Sequence, residues 1–435
     1  MKTIRKLALI IIGIFILMIW SGIVRNAALG QRAAGPFTGV IKSFSEVPSN
    51  MKMAYNHFFN APDYYIKTKK KDEEDINSLS YDLYGTYAYR NGDQFNIELK
   101  NFKTDEIIKN WDLPVETLSN HYEVGQNDRI YPAKLMPNRD IIASCNEKPG
   151  LIRIDSSSKV KWFNDEFIFH HAMNFDHIGN IWIPGVKHEG GIIIPKTLSV
   201  DGNKTDYRDD LVLSVDSNTG KTLYSKSMTD IFIENNLEEL LNKATHVTDP
   251  FHLNDIQPVV AVDSTKYIER GDVFLSFRHL SAVIQFRPST DKVIKVIEGP
   301  FTFQHDVDII SDNSIALFNN NSAAWDVHFN KNEFKPSNGT IQRKIVNSNV
   351  LIYNFESESF EVLYEEQFIE NEIYTGAEGL YELLPNGDLF VEEQGSGLLW
   401  VLNKDGVVLK TTLKSDIEGY HYLTNWTTIY TDINF

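Results

Sequence analysis

The chain has 435 residues, 42% of them hydrophobic, enough to fill one large core or two ordinary ones. A formal net charge of −17 argues against a nucleic-acid partner, whose phosphates call for clustered Lys and Arg, and obliges any anionic ligand to find a local cationic pocket. The single cysteine, Cys145, excludes an intramolecular disulfide and a cysteine-based zinc site, and in "DIIASCN" it reads as a small core side chain.

At the amino terminus, Lys2, Arg5 and Lys6 precede an uncharged run from Leu7 to Val24, about as long as a bilayer core requires. The run exceeds the ~7–15 apolar residues of a cleaved signal, and basic residues on its amino side predict an uncleaved anchor with the remaining chain outside the cytoplasm. A cleaved signal leads to the same compartment, the cell envelope. Residues 1–32 are therefore read as anchor or signal segment, 33–80 as a helical or irregular linker, and 81–435 as the folded domain. Within the linker, "VIKSFSEVPSNMKMAYNHFF" reads as a short helix and "KTKKKDEEDINS", which mixes both signs of charge, as a solvated loop.

The folded domain repeats. Weakly in "YGTYAYRNGDQFNIELKNFKTDEIIKNW", then in five further segments, an apolar strand meets a turn of Asn, Asp or Gly, a second apolar strand returns, and a third ends in a polar turn. Asn386-Gly387 and Asp405-Gly406 between β-rich runs are hairpin signals. Recurring units of three or four antiparallel strands predict propeller blades, none able to bury both sheet faces alone. The expectation is an all-β fold, a six-bladed β-propeller, preceded by a transmembrane helix; a pair of β-sandwiches leaves the recurrence unexplained.

Aligned on their first turns, the repeats start their innermost strands at His171, His252 and His305, with Glu378 at that place in the last repeat. Inner strands of a propeller line its channel, so residues at their mouths converge. A lone histidine at a strand end is usually an ordinary core or surface group, but three at matched places point to a shared site. His170 takes the place of His171 if the register shifts by one. The second strand of the fourth repeat ends at Arg278, where the other repeats carry Asn146, Val186, Asn319 or Asn320, and Gln394. One cation in such a ring suits one anionic ligand, gripped by a planar guanidinium. Asn254, Asn319, Glu378 and His170 are the further polar groups expected to bind substrate. His177, His188, His246, His279 and His328 lack the coincidence and read as ordinary residues.

"FHLNDIQPV", "LSFRHLSAVIQF", "FTFQHDVDII" with "NSIALFNNN", and "TGAEGLYELLPNGDLFV" resemble, in this order, the motifs of the arylsulfotransferase family, the bacterial arylsulfate sulfotransferases that use no nucleotide donor. The resemblance covers roughly residues 125 to 410. It implies a six-bladed propeller, in agreement with the repeat count, and transfer of a sulfuryl group from an aryl sulfate to a phenolic acceptor through a histidine carrier. By motif position His305 matches the carrier, while His252, Arg278 and His171 match the sulfate-binding and acid–base groups. A neutral imidazole attacks sulfur and splits the transfer into two displacements, with a cation steadying the sulfuryl oxygens. No cofactor and no metal are called for, and no phosphate-cradling loop is present. The partners expected are the two small molecules and, through the anchor, a membrane; oligomeric state is left open. The first ~120 residues and the tail "DIEGYHYLTNWTTIYTDINF" fall outside the resemblance; His421 and Trp426 in that tail are candidates to border the channel mouth, although tail aromatics are usually packing.

Two other classes fit the same scaffold. A calcium-dependent propeller hydrolase would draw on the oxygens of Asn254, Asp255, Asp306, Asn319, Asn320 and Glu378, although His305 and Asp306, adjacent on a strand, face opposite ways. A non-catalytic envelope propeller that binds a ligand is the other, since fold does not fix activity.

Overall fold

The computed structural model describes residues 2–28, 40–41, 62, 64–69, 74–200, 203–260, 265–322 and 347–433. Two compact units are present, Met1–Pro62 and Asp63–Phe435. In the first, a helix covers Lys2–Ala28, and its apolar side chains from Ile11 to Trp20 are exposed. Among the described residues no helix is long and apolar enough to cross a membrane; the described side chains of this helix run from 11 to 24. Residues 42–61, most of the short helix expected in the linker, lie outside the described residues.

The second unit is built of strands and begins earlier than residue 81. Tyr65–Lys67 and Ile76–Asn77, inside the expected linker, pair with Tyr420–Tyr422 and Gly406–Lys414. Among the described residues the antiparallel strands follow one another in six groups of four; the second and third are joined into one eight-stranded sheet by pairing of Gly185–Val186 with Ile168–Phe169, and the sixth carries three further strands. The second holds Ile130–Leu135, Ile141–Cys145, Lys148–Ile154 and Val160–Phe169. The third holds Asn174–Phe175, Ile181–Val186, Asp210–Val215 and Thr222–Ser227. Leu253–Pro258 opens the fourth, His305–Ser311 the fifth and Leu380–Leu383 the sixth. The first sheet draws on both ends of the unit, because Thr428–Tyr430 pairs with Tyr84–Thr86 and supplies its innermost strand.

Burial explains the residue pattern. Second strands such as Ile141–Cys145, Val273–Phe277 and Ser314–Asn319 are buried along their whole length, because each lies in a sheet covered on both faces by neighbours. Outer strands such as Thr222–Ser227 alternate exposed and shielded residues. Among the described residues, six apolar clusters join the groups of strands in turn. Ile97 of the first sheet meets Ile141 of the second, Ile142 meets Ile183, Val212 meets Phe277, Phe274 meets Leu317, Phe318 meets Val391, and Phe390 meets Tyr87 of the first sheet again. The order returns to its start, so the sheets stand in a propeller-like circle. Phe277 is wholly buried, and its truncation to Ala costs about 3–5 kcal/mol.

Acidic side chains tie four of the six groups of strands to the inner strand of the next. Asp210 accepts the Leu253 N–H at 2.7 Å, Asp255 that of Val307 at 2.8 Å, and Asp306 that of Tyr381 at 2.9 Å. Glu392 accepts the N–H groups of Trp426 and Thr427, tying the sixth sheet to the strand that completes the first.

Candidate active site

Backbone geometry at the mouths of the inner strands decides what faces the axis. His171, His252, Phe303, Glu378 and Trp426 all have positive φ, between 47 and 60°, a sparsely populated conformation for residues other than Gly. They form one recurring position. His171 precedes Asn174 by three residues and His252 precedes Asp255 by three, whereas His305 directly precedes Asp306. Since Asp255 and Asp306 do the same work for the following sheet, His305 sits two residues beyond the place shared by His171 and His252. The expectation that all three are equivalent is corrected: a bulge at Asp306, φ 51°, brings His305 round to the same pocket.

The three imidazoles nevertheless meet. The His171 ring lies 4.9 Å from that of His252 and 6.1 Å from that of His305, centroid to centroid. Trp426 walls the cluster, 5.6 Å from His171 and 6.3 Å from His305. Arg278 enters from the fourth sheet, its guanidinium 4.4 Å over the Phe303 ring. It donates to Gly376 O at 3.3 Å and lies 2.9 Å from His279 Nε2, while its Nε–H is buried without an acceptor.

Each imidazole is held from behind at Nδ1. For His305 the holder is Asn320, whose Oδ1 lies 2.6 Å away; the Asn320 amide nitrogen is committed to the carbonyls of Thr375 and Glu378. That commitment fixes the amide orientation, so Oδ1 accepts, Nδ1 of His305 carries the proton, and Nε2 keeps a bare lone pair. His252 Nδ1 lies 2.6 Å from the Asp249 carboxylate, an acceptor only. His171 Nδ1 lies 2.7 Å from His170 Nδ1, and His170 Nε2 is 3.4 Å from Asp210.

Electrostatics keep the cluster neutral. Burial, followed by the Arg278 charge, lowers His305 to about 3. His252 falls well below the ordinary range through burial, then His279 and Arg278; His171 does so through burial, then His252 and its other histidine neighbours. Burial lowers Arg278 to about 10, still a cation at neutral pH. Burial and the neighbouring positive groups thus hold His252 and His171 toward the neutral form.

The other expected residues divide. Glu378 reaches the pocket wall, where Tyr131 and Asn425 donate to it and burial raises its pKa. Asn254 donates to Gln304 O and leaves a buried Oδ1 without a donor. His170 stands behind His171 rather than beside it. Asn319 is not gathered in: its Oδ1 accepts from Thr302 and Asn321, and its Nδ2 donates to Asn349. The calcium ligand set is likewise split, because Asp255 and Asp306 are spent on the inner-strand contacts. Sequence reasoning missed Asp249, and Asn320 as the holder of His305, and weighed Trp426 at the channel mouth only as the rarer reading of a tail aromatic. Asp249 had a faint signal in its spacing of three before His252, and Asn320 in the Asn319-Asn320-Asn321 run; Trp426 lies in the tail, outside every repeat.

No curated protein matches this chain. Among solved structures, a protein of unknown function from Bacteroides caccae is 12% identical, with a TM-score of 0.47 over 78% of this chain and 97% of its own. Virginiamycin B lyase from Staphylococcus aureus is 10% identical, with a TM-score of 0.39 over 79% of this chain and 89% of its own. The WD40 β-propeller domain of Doa1 is 10% identical, with a TM-score of 0.40 over 83% and 89%. Likenesses this loose carry no argument, and the fold rests on the circle of sheets. The arylsulfotransferase (ASST) family model matches residues 135–413, more than half of the chain and the span that contains His171, His252, Arg278, His305 and Glu378. This chain belongs to the arylsulfotransferase family.

Proposed function

We propose that the chain is a six-bladed propeller enzyme of the cell envelope that moves a sulfuryl group from an aryl sulfate to a phenol through a sulfated His305, with residues 1–32 as its membrane anchor. The observation that carries this reading is the pinned His305 tautomer. A neutral imidazole with its proton held at Nδ1 offers Nε2 as a nucleophile at neutral pH. Nε2 attacks sulfur, the N–S bond forms as the S–O(aryl) bond breaks, and the electron pair leaves on the phenolate. A second phenol then attacks the same sulfur, the N–S bond breaks, and the imidazole is regenerated.

Arg278 supplies the charge that the sulfuryl oxygens need, and its unpartnered Nε–H is satisfied by the bound anion. The leaving phenolate takes a proton, and the attacking phenol returns one. His252 is the group for that exchange: a bound sulfate ester offsets the desolvation that keeps it neutral, and Asp249 behind Nδ1 stabilises its imidazolium. His171 and Trp426 close the pocket around the aryl ring.

The test is to incubate the chain with a nitrophenyl sulfate and no acceptor, digest it at alkaline pH, and measure the mass of the peptide containing His305. One added sulfuryl group is expected. An unmodified peptide during demonstrable turnover removes the covalent mechanism.

A further inference from the structure

Sulfuryl transfer through a carrier needs one bare imidazole nitrogen. This pocket offers three. One ring nitrogen from each of His171, His252 and His305 lies within 4.8 Å of the other two. The Nδ1 atoms are occupied at 2.7, 2.6 and 2.6 Å by His170, Asp249 and Asn320. Asn320 Oδ1 and the Asp249 carboxylate can only accept, so His305 and His252 keep bare Nε2 atoms. With the His170 proton at Nε2, toward Asp210, His170 Nδ1 accepts from His171, and a third bare Nε2 results.

Three neutral imidazoles with Nε2 free and Nδ1–H held by a second layer of acceptors is how proteins build a three-histidine site for a borderline transition metal. Nitrogen donors select zinc, cobalt or copper and disfavour calcium. Zinc–nitrogen bonds of ~2.0–2.1 Å set tetrahedral ligands about 3.3 Å apart, so ring nitrogens that lie within 4.8 Å of one another need close by at most about 1.5 Å. Arg278 opposes a bare dication, and an anion in the fourth position, between metal and guanidinium, offsets that repulsion.

We infer that His171, His252 and His305 bind one divalent transition metal ion, zinc or its relatives, and that the bound metal shuts the pocket to aryl sulfates by taking the lone pair of the carrier. The inhibitory consequence rests on the function proposed above; the binding itself does not.

The test reads binding without turnover. Cobalt(II) is titrated into the full, metal-stripped chain with no sulfate ester present, and its visible spectrum is recorded. One cobalt per chain with the intense bands of a four- or five-coordinate ion is expected, displaced by an equivalent of zinc. His171→Asn and His252→Asn, checked for fold by circular dichroism, should abolish the bands, and Asn320→Ala should weaken cobalt binding by about 10–100-fold. Should the histidine variants not fold, the unaltered chain still decides: aryl sulfate ester must compete with cobalt for the site. No bands at saturating cobalt, or bands that survive both substitutions, overturns the metal site, and cobalt binding indifferent to an ester that the chain turns over overturns the inhibitory consequence. A chain that transfers sulfuryl groups but takes up no cobalt sinks the metal site alone, and one that binds cobalt but never turns over sinks the proposed function alone.

Discussion

Replacing Asn320 with Ala separates a tautomer device from mere packing. The side chain makes three contacts: it accepts from His305 and donates to the carbonyls of Thr375 and Glu378. Thr375 O retains a donor in Ser348 Oγ at 3.3 Å, so the groups stranded by the change are the His305 Nδ1–H and Glu378 O. Each buried orphan costs about 1–3 kcal/mol, which puts the stability loss at about 2–6 kcal/mol, readable as a lower urea midpoint. The rate effect is separate. Freed from Oδ1, His305 populates both tautomers and several ring orientations, and loss of such a supporting contact typically lowers activity by about 10–100-fold. Turnover of a nitrophenyl sulfate with a saturating phenol measures it, and the fall should appear in kcat rather than in KM. Asn320→Asp restores the acceptor and adds a negative charge beside the imidazole, so it should recover part of kcat and move the acid limb of the pH profile upward. If Asn320→Ala keeps kcat within about twofold of the parent while the fold holds, the pinned tautomer is not what makes His305 reactive.

Arg278→Lys keeps the charge but loses the fork over Phe303, and kcat/KM for the aryl sulfate should fall by about 10²–10³, as for loss of one aimed electrostatic contact; a change under about tenfold would refute the assignment. Because His305 is held at about 3, below the ordinary histidine value, its nucleophilic form persists as pH falls, and the acid limb it sets in kcat/KM should lie well under pH 6; a limb at the usual histidine pH contradicts this. Asp255 is raised to about 8 by burial and then by Asp308, so its folded form holds a proton that the unfolded chain releases near pH 4. That stability is present at low pH and lost as pH rises through 8. Asp255→Asn should therefore gain in urea midpoint relative to the parent between pH 5 and 9, and a pH-independent difference sinks the argument. Cutting the chain after Leu423 removes the inner strand of the first sheet and the partners of Glu392, and should broaden or abolish cooperative unfolding by circular dichroism; a sharp, parent-like transition would show that the circle closes without them.

Much of this was legible because repeats carry their own alignment. The hairpin turn at Asn386-Gly387 stands where the sequence put it, with Gly387 at φ 89°, whereas at Asp405-Gly406 the loop is Lys404-Asp405 and Gly406, φ 136°, opens the returning strand. The meeting of the His171 and His252 rings follows from their matched places in the repeats. The two-residue offset of His305 does not, because a bulge leaves no trace in hydrophobic alternation. Asn319 and Asn320 are neighbours on one strand end and face opposite ways, so a register uncertainty of one residue chose the wrong asparagine. The pairing of Thr428–Tyr430 with Tyr84–Thr86 spans most of the chain, and no local pattern announces a partner so distant.

That distant pairing sets an order on biogenesis. A ribosome delivers Tyr84 hundreds of residues before Thr428, so the first sheet must wait with an open edge until residues 428–430 have been made. Trp426, which walls the histidines, arrives in the same late stretch. A half-made molecule thus has no finished pocket, and a nascent chain stalled short of residue 426 should be a client for chaperones rather than a partial catalyst.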